Sequence, residues 1–97
     1  MPSTVHVVAR FVAKPGKEQA LKAVLNALIA PARRELGCYQ YDLLENPSDP
    51  RDLCFVEKWE NAKTADQHGE SKHLQLALSQ AEGLVEAPPD IRRYHQV

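Results

Sequence analysis

The sequence predicts an α+β fold in which one antiparallel sheet carries helices on one face. Four strand-like stretches and two helical regions follow one another in the order β-α-β-β-α-β, which is the ferredoxin-like arrangement. The length of 97 residues suits one small domain, residues 1–97, without internal repeats. Because two helical regions cover only one face of a sheet, we expect a second copy to cover the other face in a homodimer.

The N-terminal third contains the first strand and the first helical region. Thr4–Ala13 is rich in valine and lacks Gly and Pro, which is typical of a strand. Lys17–Leu36 has apolar residues at helical spacing. Because proline lacks an N–H group and clashes with the preceding turn, we expect a kink or a new helical turn at Pro31. Gly37 then ends the predicted helix as its C′ residue.

The middle of the chain predicts a hairpin. Its strands are Cys38–Glu45 and Leu53–Glu60, and residues 46–52 form a loop dense in turn-forming residues. A hairpin centred on Asp49 places six side chains on one face of the sheet, in the opposing pairs Tyr39–Trp59, Tyr41–Glu57 and Leu43–Phe55.

The same register separates the two cysteines. It sets Cys38 opposite Glu60 and Cys54 opposite Leu44, which is beyond the reach of a disulfide. Two cysteines without CxxC spacing also do not indicate a disulfide scaffold. We therefore expect both thiols to be unpaired.

Two helical pieces are predicted after the third strand. Asn61 offers an N-cap for the first piece, and Ser71 offers one for the second after a Gly-Glu-Ser break. Ala62, Ala65 and His68 follow at three-residue spacing, so they are predicted to share a helix face. The small alanines would leave room beside the strand onto which this helix folds.

A candidate site is predicted where that helix folds back over the end of the third strand. His68 is the first candidate for a catalytic base, because histidine titrates near neutrality; a buried histidine that binds a backbone carbonyl is the alternative. Glu57 could orient a histidine or accept a proton, or form a structural ion pair. His73 is five residues from His68, so a continuous helix would point the two apart, and a surface or capping role competes with a catalytic one.

Aromatic side chains around this position predict a wall for a flat ring. The candidate substrate-binding residues are Trp59, Tyr41, Phe55 and Tyr39. Ordinary core packing explains the same residues equally well. The sequence alone therefore leaves both roles open for them.

Metal binding is not predicted. His6 lies on the first strand and His95 on the last, Asp90–Val97, and these strands are neighbours in this fold. No third ligand has recognisable spacing, and the His68–His73 interval is not the i, i+4 pair of metal-binding helices. We therefore expect no metal ion.

Charge and hydropathy exclude some function classes. The 12 basic and 13 acidic residues are spread without long runs, so we expect no nucleic-acid partner. No apolar run approaches the roughly 20 residues that span a bilayer, and the N-terminus lacks signal-peptide features. We expect a cytoplasmic protein with no membrane partner.

The stretch from Gly37 to Leu78 resembles the antibiotic biosynthesis monooxygenase (ABM) family, and the similarity extends to the opening ARFVAKPGKEQAL. The features that carry it are the segment PARRELGC, the Asn-Pro and Asp-Pro steps of the loop, and Tyr41, Phe55, Glu57, Trp59, His68 and His73-Leu74. These motifs are specific as an ensemble, and no single one is diagnostic.

The resemblance implies a dimeric α+β barrel and, in some members, cofactor-independent oxygenation of quinols or polycyclic phenols by O2. Such a substrate loses a proton and reacts with O2 as an electron-rich anion, so the protein supplies a base, a dry pocket and hydrogen-bond donors. Haem-degrading relatives have an Asn and a His where this chain has Ala9 and Leu78. Neither side chain can serve haem, so we expect no cofactor.

Two other functions remain open. Some relatives isomerise a small phosphorylated signalling sugar, which requires a phosphate clamp, and here only scattered arginines are available: Arg33, Arg34, Arg92 and Arg93. A third reading is a non-catalytic, ligand-binding or stress-associated barrel that has kept the fold. The leading prediction is a monooxygenase that acts on a quinol-like or polyphenol-like aromatic compound.

Overall fold

The computed structural model describes residues 3–97 and has the predicted α+β architecture. Its elements, in chain order, are β1 (Val5–Val12), α1 (Glu18–Asn26), α2 (Ile29–Arg33), β2 (Cys38–Asn46), β3 (Asp49–Trp59), α3 (Ala62–Gly69), α4 (Lys72–Ala81) and β4 (Asp90–Tyr94). The strands form one antiparallel sheet in the order β2-β3-β1-β4. This is the ferredoxin-like topology that the order of elements predicted.

The first helical region is divided in two, as Pro31 predicted. Helix α2 starts at Ile29, so Pro31 lies in its first turn, where a backbone N–H would have no partner within the helix. The predicted end at Leu36 is wrong, because α2 ends at Arg33. Gly37 instead closes the following turn, in the left-handed conformation with φ of 81°.

Gly37 also lets the segment before β2 lie directly against α3. A Cβ atom at this position would come within 2.6 Å of the Thr64 Cγ2 atom. The Gly37 carbonyl accepts a hydrogen bond from the backbone N–H of Glu60 at 2.8 Å. The close approach places Glu35, two residues earlier, beside α3 and α4.

The β2–β3 register is as predicted over its central part, where Tyr41 pairs with Glu57. The predicted loop over residues 46–52 is wrong, because β2 extends to Asn46 and β3 begins at Asp49. The Asn46 Oδ1 atom accepts the N–H of Ser48 at 2.9 Å, and Asp49 Oδ1 accepts the N–H of Arg51 at 3.1 Å. These side chains satisfy backbone donors locally, so the strands continue almost to the turn.

A register shift near the start of β2 changes two predicted pairings. The shift lies between Cys38 and Gln40, so Cys38 pairs with Trp59 instead of Glu60. Tyr39 lies at the irregularity and is 61% exposed. The prediction that Tyr39 shares a face with Tyr41 is wrong, because an extra residue in one strand interrupts the alternation of side chains. Both cysteines are free, as predicted.

The second helical region has both predicted N-caps. Asn61 Oδ1 accepts the N–H of Thr64 at 2.9 Å, and Ser71 Oγ accepts the N–H of Leu74 at 3.4 Å. The inward position that was predicted for Ala62 belongs to Thr64, and Ala62 is exposed. The reason is that the capping box turns Thr64 back towards the N-cap residue.

The core lies between the sheet and the helices. Its largest fully buried side chains are Trp59, Tyr41, Phe11, Phe55, Leu21, Leu25 and Leu53. Strand β4 lies at the sheet edge with all five residues exposed, and it ends at Tyr94, three residues before the predicted end. No helix within residues 3–97 is long and apolar enough to cross a membrane.

Candidate active site

A cavity of about 160 Å³ lies between the sheet and the α3–α4 region. The sequence candidates Tyr41, Phe55, Glu57, Trp59 and His68 all line it. The other lining side chains are mostly apolar: Val7, Ala9, Phe11, Ala65, Leu74, Leu78 and Ile91, with Gly69 and Arg93. The structure therefore brings together five of the seven candidates around one cavity, and Tyr39 is not among them.

The ring of His68 is held between two aromatic side chains. It stacks on Trp59, with ring centroids 4.6 Å apart and planes inclined by 25°. Tyr41 meets it edge-on, with centroids 5.2 Å apart. Because both neighbours are almost fully buried, they restrict the histidine to one ring orientation.

Glu35 orients the protons of His68. The Oε2 atom of Glu35 lies 2.6 Å from His68 Nδ1. An ionised carboxylate can only accept hydrogen bonds, so Nδ1 carries the proton in the neutral ring and Nε2 keeps its lone pair. The Nε2 atom lies 3.8 Å from Glu57 Oε1, which is too long for a direct hydrogen bond. The basic nitrogen of His68 is thus on the side of the ring that faces Glu57.

Glu57 is a buried carboxyl group with one strong donor. Trp59 Nε1–H donates to its Oε1 atom at 2.9 Å, and only 4% of the residue is exposed. Burial raises the pKa of Glu57, while the Trp59 hydrogen bond and the nearby His68 oppose this rise. Glu57 therefore keeps a proton to higher pH than an exposed glutamate would.

Tyr41 has a hydroxyl group that stays protonated. Burial raises its pKa, and the negative charges of Glu57 and Glu35 raise it further. A neutral phenol is a hydrogen-bond donor as well as an acceptor. Tyr41 therefore contributes a donor to the site.

His73 binds the same carboxylate as His68. Its Nε2 atom lies 2.8 Å from Glu35 Oε2, and the two imidazole rings have centroids 6.3 Å apart. A continuous helix would point these histidines apart, but the helix ends at Gly69 and a new one starts after Ser71, at the predicted break. The new helix axis brings His73 back towards His68.

We refer to these three residues as the Glu35–His68–His73 cluster. Their ligand atoms all lie within 4.8 Å of one another. Sequence reasoning missed Glu35, which is one of 13 acidic residues and sits in an irregular turn. It lies 33 residues before His68, so neither strand nor helix periodicity signals the pairing. The sequence spacing of His68 and His73 therefore no longer argues against a metal ion, because the break between α3 and α4 brings both histidines to Glu35.

Sequence comparison assigns the family. The profile described as "Antibiotic biosynthesis monooxygenase" matches residues 4–80. The chain belongs to the ABM family. Membership indicates a monooxygenase-type activity and agrees with the resemblance seen in the sequence.

Individual ABM-fold proteins are similar over nearly the whole chain. A Mycobacterium tuberculosis protein, Rv0793, whose name assigns it provisionally as a monooxygenase, is 38% identical over 88 residues, covering 91% of this chain and 86% of its own. Its solved structure superposes with a TM-score of 0.92 over 98% of this chain and 96% of that chain, at 33% identity. Protein SO0527 of Shewanella oneidensis, at 36% identity, has a TM-score of 0.93 over 99% and 93%.

Proposed function

We propose that this ABM-family protein is a cofactor-independent monooxygenase that oxidises a small quinol-like aromatic compound in the Trp59–His68 cavity. The observation that supports it best is the Glu35–His68 contact of 2.6 Å. It leaves the Nε2 lone pair of His68 free beside Glu57. A buried base of this kind suits a reaction that begins with removal of a phenolic proton.

In the proposed reaction the substrate hydroxyl binds His68 Nε2, which accepts its proton. The resulting anion is electron-rich and transfers electrons to O2 directly. One oxygen atom enters the ring and the other leaves as water, so that quinol and O2 give hydroxyquinone and water. The substrate supplies both electrons, and no external reductant is needed. Glu35 stabilises the imidazolium that forms when His68 takes the proton.

The size of the cavity favours a single aromatic ring. A protein cavity of roughly 150 Å³ can hold benzene, and this one measures about 160 Å³. Its mostly apolar wall excludes water from the reacting anion. Tyr41 is a donor available to the second oxygen of a quinol ring. A polycyclic substrate would require side chains such as Leu78 to move.

The distribution of the arginines favours oxygenation over isomerisation of a phosphorylated sugar. Of the four arginines considered, Arg93 alone lines the cavity, and it pairs with Asp66 at 2.8 Å. Arg33 binds Asp42 at 3.0 Å instead. A phosphate group would therefore meet one arginine that is already paired.

Oxygen uptake with a panel of one-ring and two-ring quinols, measured in the presence of EDTA, tests the proposal. We expect turnover of at least one single-ring quinol and a loss on the order of 100-fold or more in His68→Ala. His95→Ala is the matched control, because His95 is exposed and lies after β4. Full activity of His68→Ala would place the base elsewhere. Ligand binding without oxygen uptake by any quinol would favour a non-catalytic protein.

We also propose that the protein acts as a homodimer. The sheet face opposite the helices carries exposed apolar side chains, including Val8, Leu44 and Tyr94, and burial of such area stabilises an assembly by roughly 25 cal/mol per Å². Light scattering should give twice the chain mass of 10.9 kDa. Leu44→Lys should shift it towards the monomer, whereas Leu76→Lys, at a similarly exposed leucine on α4, should not. A wild-type monomer at micromolar concentration would refute the dimer.

A further inference from the structure

We infer that the Glu35–His68–His73 cluster binds a divalent cation of the zinc type. Three side chains from three separate parts of the chain converge there: the turn before β2, helix α3 and helix α4. One carboxylate oxygen, Glu35 Oε2, lies 2.6 Å from His68 Nδ1 and 2.8 Å from His73 Nε2. The three ligand atoms lie within 4.8 Å of one another, which is close enough for one small cation to bind all three after a small movement.

The donor set has the chemistry of a zinc site. Two imidazole nitrogens and one carboxylate oxygen form a three-ligand set that zinc uses when a fourth position stays open to water. Imidazole also selects zinc, copper or nickel over magnesium and calcium, which prefer sites made of oxygen ligands. Zn²⁺ is therefore the cation with which we propose to test this cluster.

Only a small movement separates the hydrogen-bonded cluster from a coordinated one. Ligands at about 2.0–2.2 Å from a tetrahedral zinc ion lie roughly 3.3 Å from one another. The distance from Glu35 Oε2 to His68 Nδ1, now 2.6 Å, would therefore lengthen by about 0.7 Å, and its distance to His73 Nε2, now 2.8 Å, by about 0.5 Å. His73 can supply the movement, since its side chain is 32% exposed while His68 is packed between Trp59 and Tyr41. The exposed side of His73 also gives the ion a route from solvent.

Cation binding would reverse the role of His68, a consequence that rests on the proposed function. A cation at Nδ1 displaces the proton that Glu35 now accepts, and the neutral ring then carries its proton on Nε2. The nitrogen beside Glu57 changes from a base into a donor. Zinc should therefore inhibit quinol oxygenation, and a chelator should restore it.

Direct titration with zinc chloride tests the site independently of activity. Isothermal titration calorimetry and competition with a chromophoric chelator are applied to tag-free protein. We expect one zinc ion per chain. His73→Ala and Glu35→Gln should each weaken binding by more than the roughly 10- to 100-fold that loss of a group behind a metal ligand costs. His95→Ala should bind like wild type. Circular dichroism establishes that each variant is folded.

Three results would overturn the inference. The first is no binding by folded wild-type protein, and the second is binding by His73→Ala as tight as that of wild type. The third is loss of binding in Cys38→Ser/Cys54→Ser, because the thiols would then be the ligands. Zinc binding without oxygenase activity would support this site and refute the proposed function. Oxygenase activity without zinc binding would support the proposed function and refute the zinc site.

Discussion

Glu35 and His68 are separated by 33 residues in the chain, yet the Glu35 Oε2 and His68 Nδ1 atoms lie 2.6 Å apart. The contact places a carboxylate behind the ring that the proposed reaction uses as its base. Among the residues that line the cavity, His68 is the one to which Glu35 is hydrogen-bonded in the described part of the chain. It therefore acts on the substrate through the histidine, as a positioning residue.

Glu35→Gln should lower kcat by about 10-fold or more and leave KM nearly unchanged. The amide keeps the shape of the side chain but has no charge to stabilise the imidazolium formed during turnover. Steady-state oxygen uptake in EDTA separates the two constants. Glu60→Gln, which removes the same charge at an exposed position, serves as the control. An unchanged kcat in Glu35→Gln would show that the carboxylate has no catalytic role.

Trp59→Ala should reduce the free energy of unfolding by roughly 3–5 kcal/mol. The indole is fully buried and stacks on His68, and its N–H is the donor that satisfies Glu57. Urea denaturation followed by circular dichroism gives the value. Tyr39→Ala should change it by less than about 0.5 kcal/mol, because this aromatic residue is exposed. Equal losses in the two variants would contradict the assigned packing.

Gly37→Ala should destabilise the fold more than Gly16→Ala does. Both glycines have similar positive φ angles, 81° and 82°, so both variants pay a left-handed backbone cost of about 1–2 kcal/mol. At Gly37 the new Cβ atom would also lie 2.6 Å from Thr64 Cγ2, whereas nothing lies within 4 Å at Gly16. The difference between the two losses, measured by urea denaturation, isolates the clash. Equal losses would mean that α3 moves away from the new Cβ atom at no measurable cost in stability.

Glu57 should make the stability of the protein fall with rising pH. Burial raises its pKa in the folded state, against the opposing effects of Trp59 and His68, while Glu35 adds to the rise and Arg93 reduces it. The native state therefore binds more protons than the unfolded chain above the unfolded pKa of about 4.3. The stabilisation is present below that pH and is lost as pH rises through the folded pKa.

Glu57→Gln removes this titration and keeps an oxygen acceptor for Trp59 Nε1. The free energy of unfolding of wild type minus that of Glu57→Gln should therefore decrease from pH 4 towards neutral pH. Urea denaturation in EDTA at a series of pH values measures the difference. A difference that is constant with pH, or that increases, would show that Glu57 is not held in its protonated form by burial.

The sequence predicted the parts of the fold that depend on local chemistry. The new helix that contains Pro31, the N-caps at Asn61 and Ser71 and the Tyr41–Glu57 pairing follow from the geometry of proline, capping oxygens and strand alternation. The position of Tyr39 does not follow from these signals, because a one-residue register shift moves the side chains beyond it to the other face of the sheet. Such a shift depends on packing at both strand ends, which periodicity does not describe.

The same limit applies to the site. Trp59 and His68 were predicted to meet because one closes a strand and the other lies on the helix that folds back over it. The approach of Glu35 depends on Gly37 lying against Thr64, a contact between segments that are distant in the chain. The position of His73 depends on the angle between α3 and α4, and the cap at Ser71 predicts that a break exists but not its direction.

Trp59 is the only tryptophan in the chain, and it stacks directly on His68. Excitation of indole fluorescence therefore reports from a single position, inside the cavity, without any label. A quinol that enters the cavity, a cation that binds His68 Nδ1 and the loss of native packing would each perturb the same emission band. Quenching by acrylamide can order these events, since a soluble quencher reaches this indole only when the cavity opens.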